Sequence, residues 1–214
     1  MSVVYLLRHG QASFGAADYD VLSPAGHQQA KVLGEELRAR GIEPRQAWAG
    51  TLARQCDTAA VTLAAAGFDL ECGTDARWDE YDHLGLVHGL LAREQVDLPA
   101  SPREFQAVLD RALGDWVGGD HGVGTSGSFA EFSAGAHAAL SEIGAGGDAL
   151  VFTSGGVIAA LCARLIGADV VAVNRVVVNA AITKIVVGRS GASLVSFNEH
   201  GHFDGARRDL LTYR

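Results

Sequence analysis

A chain of 214 residues, 48% hydrophobic and 20% charged, has room for one globular domain with an elaborated insertion and carries no signature of disorder. The formal net charge of -8 argues against a nucleic-acid backbone or an anionic membrane as the main partner. It leaves a small anion open, because a few local arginines suffice to make a positive site on an acidic protein. No run reaches the apolar length of a membrane span, and the N-terminus enters a strand-like run at Val3 without a basic region or cleavage site. Cys56, Cys72 and Cys162 lack metal-ligand spacing, so a cytoplasmic protein with reduced, buried thiols is expected.

Residues 3–7 form a short, β-branched apolar run, the pattern of a strand buried on both faces. Ser23-Pro24 then opens a helix, with serine as N-cap and proline in the first turn; Ala30, Leu33 and Leu37 recur at helical spacing and Gly41 supplies the stop. A weak second strand is predicted over 46–49, a helix capped by Thr51 over roughly 51–66 with Gly67 as terminator, and a third strand over 68–72. The middle of the chain turns helical. Ser101-Pro102-Arg103-Glu104 and Ser128-Phe129-Ala130-Glu131 are capping boxes, and the glycine-rich stretch 114–127 between them reads as a loop. Strand signals return over 149–153, 182–187 and 193–197, with a helix over 155–166. The alternation predicts a single domain, 1–214: a three-layer α/β/α sandwich on a mixed, mostly parallel sheet, with residues 81–127 as a small helical cap. Such sheets bind ligands outside the carboxyl ends of their strands.

Arg8-His9-Gly10 falls at that edge, directly after the first strand. A histidine there can be held by backbone groups while one ring nitrogen acts as nucleophile, and the adjacent arginine offers a planar donor fork for phosphate oxygens. Alone, the tripeptide reads equally well as a strand-end ion pair beside a loop histidine. Arg54 sits in the first turn of the second helix, where positive charge opposes the macrodipole. Aimed at a bound anion, arginine and helix N-terminus would instead reinforce one another.

Leu7-Arg8-His9-Gly10-Gln11 resembles the signature of the histidine phosphatase superfamily, also called the phosphoglycerate mutase-like family. The resemblance continues through Leu22-Ser23-Pro24-Ala25-Gly26 with Gln29-Ala30, through Thr51-Leu52-Ala53-Arg54 with Thr58-Ala59, and on to Asn179 and the segment from Phe197 to His202. It implies His9 as the nucleophile, Arg8 and Arg54 as phosphate ligands, and Glu80 as the general acid. As an acid Glu80 would protonate the departing alkoxide; as carboxylate it would deprotonate the attacking water. Neighbouring Asp79 and Asp82 are expected to raise its proton affinity by like-charge repulsion, and are its rivals for the role. No cofactor and no metal are implied.

One departure matters. Where the family carries a second histidine before a glycine, this chain has Ser154-Gly155. The hydroxyl and the following helix amides can bind a phosphate oxygen, but losing a charged donor costs roughly 2–4 kcal/mol of transition-state stabilisation. His83 is the first candidate to compensate; His88, His121, His200 and His202 are further ones. Gly15 stands where many members have a phosphate-contacting asparagine, and Ser13 and Gln11 are candidates for that contact. The expectation is a phosphatase of small phosphomonoesters. Its rivals are a phospholigand-binding or regulatory protein weakened at Ser154, and a mutase-type phosphotransferase, disfavoured because no Glu-Arg-His-Tyr-Gly run follows the acid. The oligomeric state is open; apolar surface around the cap would point to a homodimer.

Overall fold

The structure, a computed structural model, describes residues 1–13, 20–119 and 127–213. The elements run β1 (Ser2–Arg8), α1 (Pro24–Ala39), β2 (Gln46–Ala49), α2 (Ala53–Ala66), β3 (Cys72–Thr74), α3 (His83–Glu94), α4 (Pro102–Val117), α5 (Phe129–Ala145), β4 (Ala149–Thr153), α6 (Gly155–Ile166), α7 (Val170–Val176), β5 (Ile182–Gly188) and β6 (Gly191–Glu199). The strands form a six-stranded sheet in the order β3-β2-β4-β1-β5-β6. β1 runs parallel to β4, β4 to β2 and β2 to β3, while β5 is antiparallel to both β1 and β6. This is the mixed, mostly parallel α/β sheet expected. Among the described residues no helix is long and apolar enough to cross a membrane.

Side-chain alternation along the central strands builds two cores. Val4, Leu6, Ala149 and Val151 face α5 and α6, packing on Leu140, Ile158 and Leu161. Leu7, Leu150 and Phe152 face the opposite side, against Leu33, Leu37 and Leu63 of α1 and α2. A third cluster joins Tyr81 to Leu86, Leu90, Leu109, Leu113 and Trp116, so α3 and α4 pack beside the carboxyl ends of the strands rather than on the sheet.

Several boundaries differ from expectation for physical reasons. The third strand is Cys72–Thr74, not 68–72, because Phe68 and Leu70 are apolar for the sake of packing on the α1/α2 core rather than for pairing. Thr51 does not cap α2; the N-cap is Leu52, and the amide and hydroxyl of Thr51 donate to Asp79 instead. α4 continues through Gly114 to Val117, so the predicted loop begins later; residues 120–126 of that loop, with His121, lie outside the described residues, as does Gly15. α3 and α7 were not foreseen as separate elements. Serine caps at Ser23, Ser101 and Ser128 are present as expected, each accepting a backbone N–H from the first turn of its helix.

Candidate active site

Parallel pairing of β1 with β4 puts Arg8 beside Thr153, so the chain leaves the sheet at two adjacent points. The backbone N–H of His9 donates to the Thr153 carbonyl at 2.9 Å, carrying the β1–β4 ladder one residue past the strand. Gly10 then passes so close to the first turn of α1 that a Cβ would lie 2.5 Å from the Gly26 carbonyl oxygen. A Cβ on Gly26 would in turn lie 2.2 Å from that of Gln11, so both glycines are needed for the two backbones to touch.

His9 is held from every side. Its Nδ1 lies 2.7 Å from the Gly10 carbonyl, an acceptor, so the proton resides on Nδ1 and Nε2 keeps its lone pair. The Arg54 Nε–H donates to that lone pair at 3.2 Å. Burial, then Arg8 and Arg54, hold the imidazole pKa well below its ordinary value, against the smaller opposing effect of the Gly10 carbonyl. The ring is therefore neutral at physiological pH. The His9 carbonyl accepts from Asn179 Nδ2 at 3.1 Å, and the Ala180 N–H bridges the Arg8 and His9 carbonyls at 3.1 and 3.4 Å. Ala180 adopts φ 54°, a conformation costing a non-glycine residue about 1 kcal/mol, and its own carbonyl accepts the buried His202 Nε2–H at 3.1 Å.

Both arginines reach the site, each with part of its fork already engaged. Arg8 Nη1 donates to the carbonyls of Val177 and Tyr213, the latter at 2.6 Å. Arg54 Nη1 pairs with Asp20 at 2.5 Å, and the second oxygen of Asp20 accepts the Ala53 N–H at the start of α2. Asp20 lacked any sequence signal beyond its charge.

Glu80 faces them across a cavity of about 60 Å³, whose walls include Arg8, His9, Arg54, Glu80, His83 and Gly155. Its two carboxyl oxygens accept the Gly156 N–H, at 3.1 and 3.2 Å. Burial raises its pKa from the ordinary value, opposed by the Gly156 amide and by Arg54 and Arg8. The direction matches the expectation but the cause does not. Asp79 is turned away onto Thr51, and Asp82 caps α3 through the Gly85 N–H, so desolvation rather than like-charge repulsion favours the protonated acid.

Ser154 is placed differently from the sequence reading. It begins α6, yet its hydroxyl is fully buried, accepts Gln55 Nε2–H at 2.8 Å and lies outside the cavity wall. Gln55, itself buried, also donates to the Trp78 carbonyl at 2.9 Å. The turn thus offers Gly155 to the cavity and the Gly156 amide to Glu80. Gln11 and Ser13 are also outside that wall: the Gln11 carbonyl oxygen of the side chain accepts from the Ser23 hydroxyl, and the Ser13 N–H donates to Val21. His83 is in the wall, whereas His88 is exposed and His200 sits against the Asn198 carbonyl. Asn174 and Tyr81, joined at 3.2 Å, also line the cavity, as does Asn179. Asn174 was missed because the short α7 carries no periodic signal. Among the described residues, no three His, Cys, Asp or Glu side chains are grouped to hold a metal ion.

This arrangement of a buried imidazole, two guanidinium groups and a carboxyl of raised proton affinity suits phosphoryl transfer. A search of curated proteins returns no match. Solved structures with the same fold include Bacillus stearothermophilus YhfR, with TM-score 0.72 and 21% identity over 95% of this chain and 100% of that one. Mycobacterial glucosyl-3-phosphoglycerate phosphatase gives 0.68 and 24% over 93% and 99%, and Bacillus anthracis phosphoglycerate mutase 0.67 and 20% over 94% of each. Residues 4–200 match the histidine phosphatase superfamily (branch 1), and the chain belongs to that family.

Proposed function

We propose that this protein is a phosphomonoesterase acting on small phosphorylated substrates through a phosphohistidine intermediate. The observation that carries this reading is the His9 ring, with Nδ1–H fixed on the Gly10 carbonyl and Nε2 lying 3.2 Å from Arg54 Nε. The adjoining cavity of about 60 Å³ has room for about four waters, or one phosphoryl group. In this reading Arg8 and Arg54 bind the phosphoryl oxygens, displacing the Arg54 hydrogen bond from Nε2 as phosphorus arrives. The Nε2 lone pair forms the N–P bond as the P–O bond to the alcohol breaks, and the Glu80 proton passes to the alkoxide. Water then attacks phosphorus and gives its proton to the Glu80 carboxylate, releasing inorganic phosphate and restoring neutral His9. Gly155 contributes backbone at the phosphate side, and His83 stands where it can add an imidazole. In this reading residues 1–214 are one unit, and the described part of the 81–127 insertion meets the site through Tyr81, His83 and Leu109.

A rival has its own support: with the Ser154 hydroxyl held by Gln55, a pocket that binds phosphate without useful turnover is the natural second reading. Steady-state hydrolysis of an aryl phosphate separates the two. Wild type should exceed His9→Ala by about a thousandfold or more, with acid-labile phosphohistidine trapped on quenching. Equal rates for the two proteins would leave only the binding reading.

A further inference from the structure

Beyond Glu80 lies a second, larger cavity of about 450 Å³, sharing Glu80 and Tyr81 with the first. Glu80 and Tyr81 thus line both the phosphoryl-sized space and a chamber several times its volume. The apolar wall is Tyr81, Leu86, Trp116 and Phe132, with the Tyr81 and Trp116 ring centroids 5.4 Å apart and those of Trp116 and Phe132 5.5 Å apart. Trp116 is fixed by its Nε1–H donating to the Gly127 carbonyl at 3.0 Å, so the wall is preformed. The remaining charged lining is of one sign: Asp79, Asp82 and Glu131, with no lysine or arginine among the described lining residues. Asp82 and Glu131 each accept a helix-start N–H, at 2.8 and 2.9 Å, and a helix N-terminus offsets only about half a unit charge.

We infer that this chamber receives the leaving alcohol and selects phosphomonoesters whose alcohol carries no second negative charge, an ammonium-bearing alcohol being preferred. The inference rests on the phosphatase reading for the position of the scissile bond, and on the chamber itself for the selectivity. A carboxylate in the alcohol would enter a space lined by further carboxylates, with no lysine or arginine among the described lining residues to meet it. An ammonium would meet carboxylates and aromatic faces.

Three esters of matched size test it: 2-aminoethyl phosphate, 2-hydroxyethyl phosphate and phosphoglycolate. The kcat/KM order should follow that sequence, with the first exceeding the last by about thirtyfold at low salt and by less as screening grows. The double variant Asp82→Asn, Glu131→Gln keeps the helix-capping oxygens and should shrink that ratio about tenfold. Calorimetric binding of the same esters to His9→Ala is the second readout. Turnover of all three at one rate, or a ratio unmoved in the double variant, overturns the selectivity while the phosphatase reading stands. Charge-ordered binding without turnover by wild type keeps the chamber and overturns the phosphatase. Neither turnover nor ordered binding overturns both.

Discussion

The ends of β1 and β4 lie side by side, in register from Val4 with Ala149 to Arg8 with Thr153, yet they serve the site in opposite ways. The β1 end delivers side chains: Arg8 and His9 both reach the cavity, held by Thr153, Asn179 and Ala180 behind them. The β4 end delivers backbone. Its polar side chains, Thr153 and Ser154, point into the protein toward Trp78 and Gln55, leaving Gly155 at the cavity and the Gly156 amide on Glu80. A Cβ on Gly156 would lie 2.1 Å from Glu80 Oε1, so the amide approaches the acid only because nothing projects from that residue. Charge enters the pocket from one strand end, and orientation of the acid from the other.

The sharpest way to break this division is at Glu80. Glu80→Gln should cut hydrolysis of alkyl phosphates about a thousandfold, and of an aryl phosphate at least tenfold less, since a nitrophenolate leaves without a proton. Because burial raises the Glu80 pKa, the wild-type basic limb of kcat/KM should lie above the ordinary carboxyl range and vanish in the variant. Equal losses on both substrates would remove Glu80 from proton transfer.

The support behind β1 is tested by acid. Burial lowers the His202 pKa to about 4 from an ordinary 6.5. The unfolded chain therefore binds a proton in that window that the folded one refuses, and stability falls as pH drops from about 6.5 to 4. About 3 kcal/mol is lost in all. His202→Gln can keep the donor to Ala180, so its Tm should fall less than that of wild type between pH 7 and 4.5. Parallel declines would mean that His202 does not carry the acid sensitivity.

The smallest effect concerns β4. Ser154→His alone should lower Tm, because an imidazole must enter space filled by buried Gln55, and overpacking costs about 1–3 kcal/mol. Ser154→His with Gln55→Ala opens that space and should raise kcat about tenfold over wild type. No gain from the pair would mean that the β4 end cannot be converted to side-chain chemistry.

Much of the fold and of the candidate site is legible in the sequence. The β-branched run before Arg8, the serine caps and the position of Arg54 each declare a local preference that tertiary packing respects. What the sequence hid was side-chain direction. Ser154 and Asp79 are polar residues beside the site, and nothing local says that one turns inward to Gln55 and the other outward to Thr51. Asp20, Asn174 and the backbone acceptors of Arg8 were hidden for a related reason: their meaning depends on partners far along the chain. The strand misplaced at 68–72 shows the same limit, since alternation reports burial and not pairing.

That dependence on distant partners has a consequence for how the protein is made. Tyr213, whose carbonyl accepts Arg8 Nη1, lies 205 positions after it, and Thr212 holds Asn179 through both its backbone carbonyl and its hydroxyl. During synthesis Arg8 therefore emerges 205 positions ahead of Tyr213. A nascent chain can assemble its sheet, whose last strand ends at Glu199, before then, but Arg8 and Asn179 gain these hydrogen bonds only once Thr212 and Tyr213 have cleared the exit tunnel. A chain stopped before Thr212 would hold every strand of the sheet and still lack the groups that fix Arg8 and Asn179.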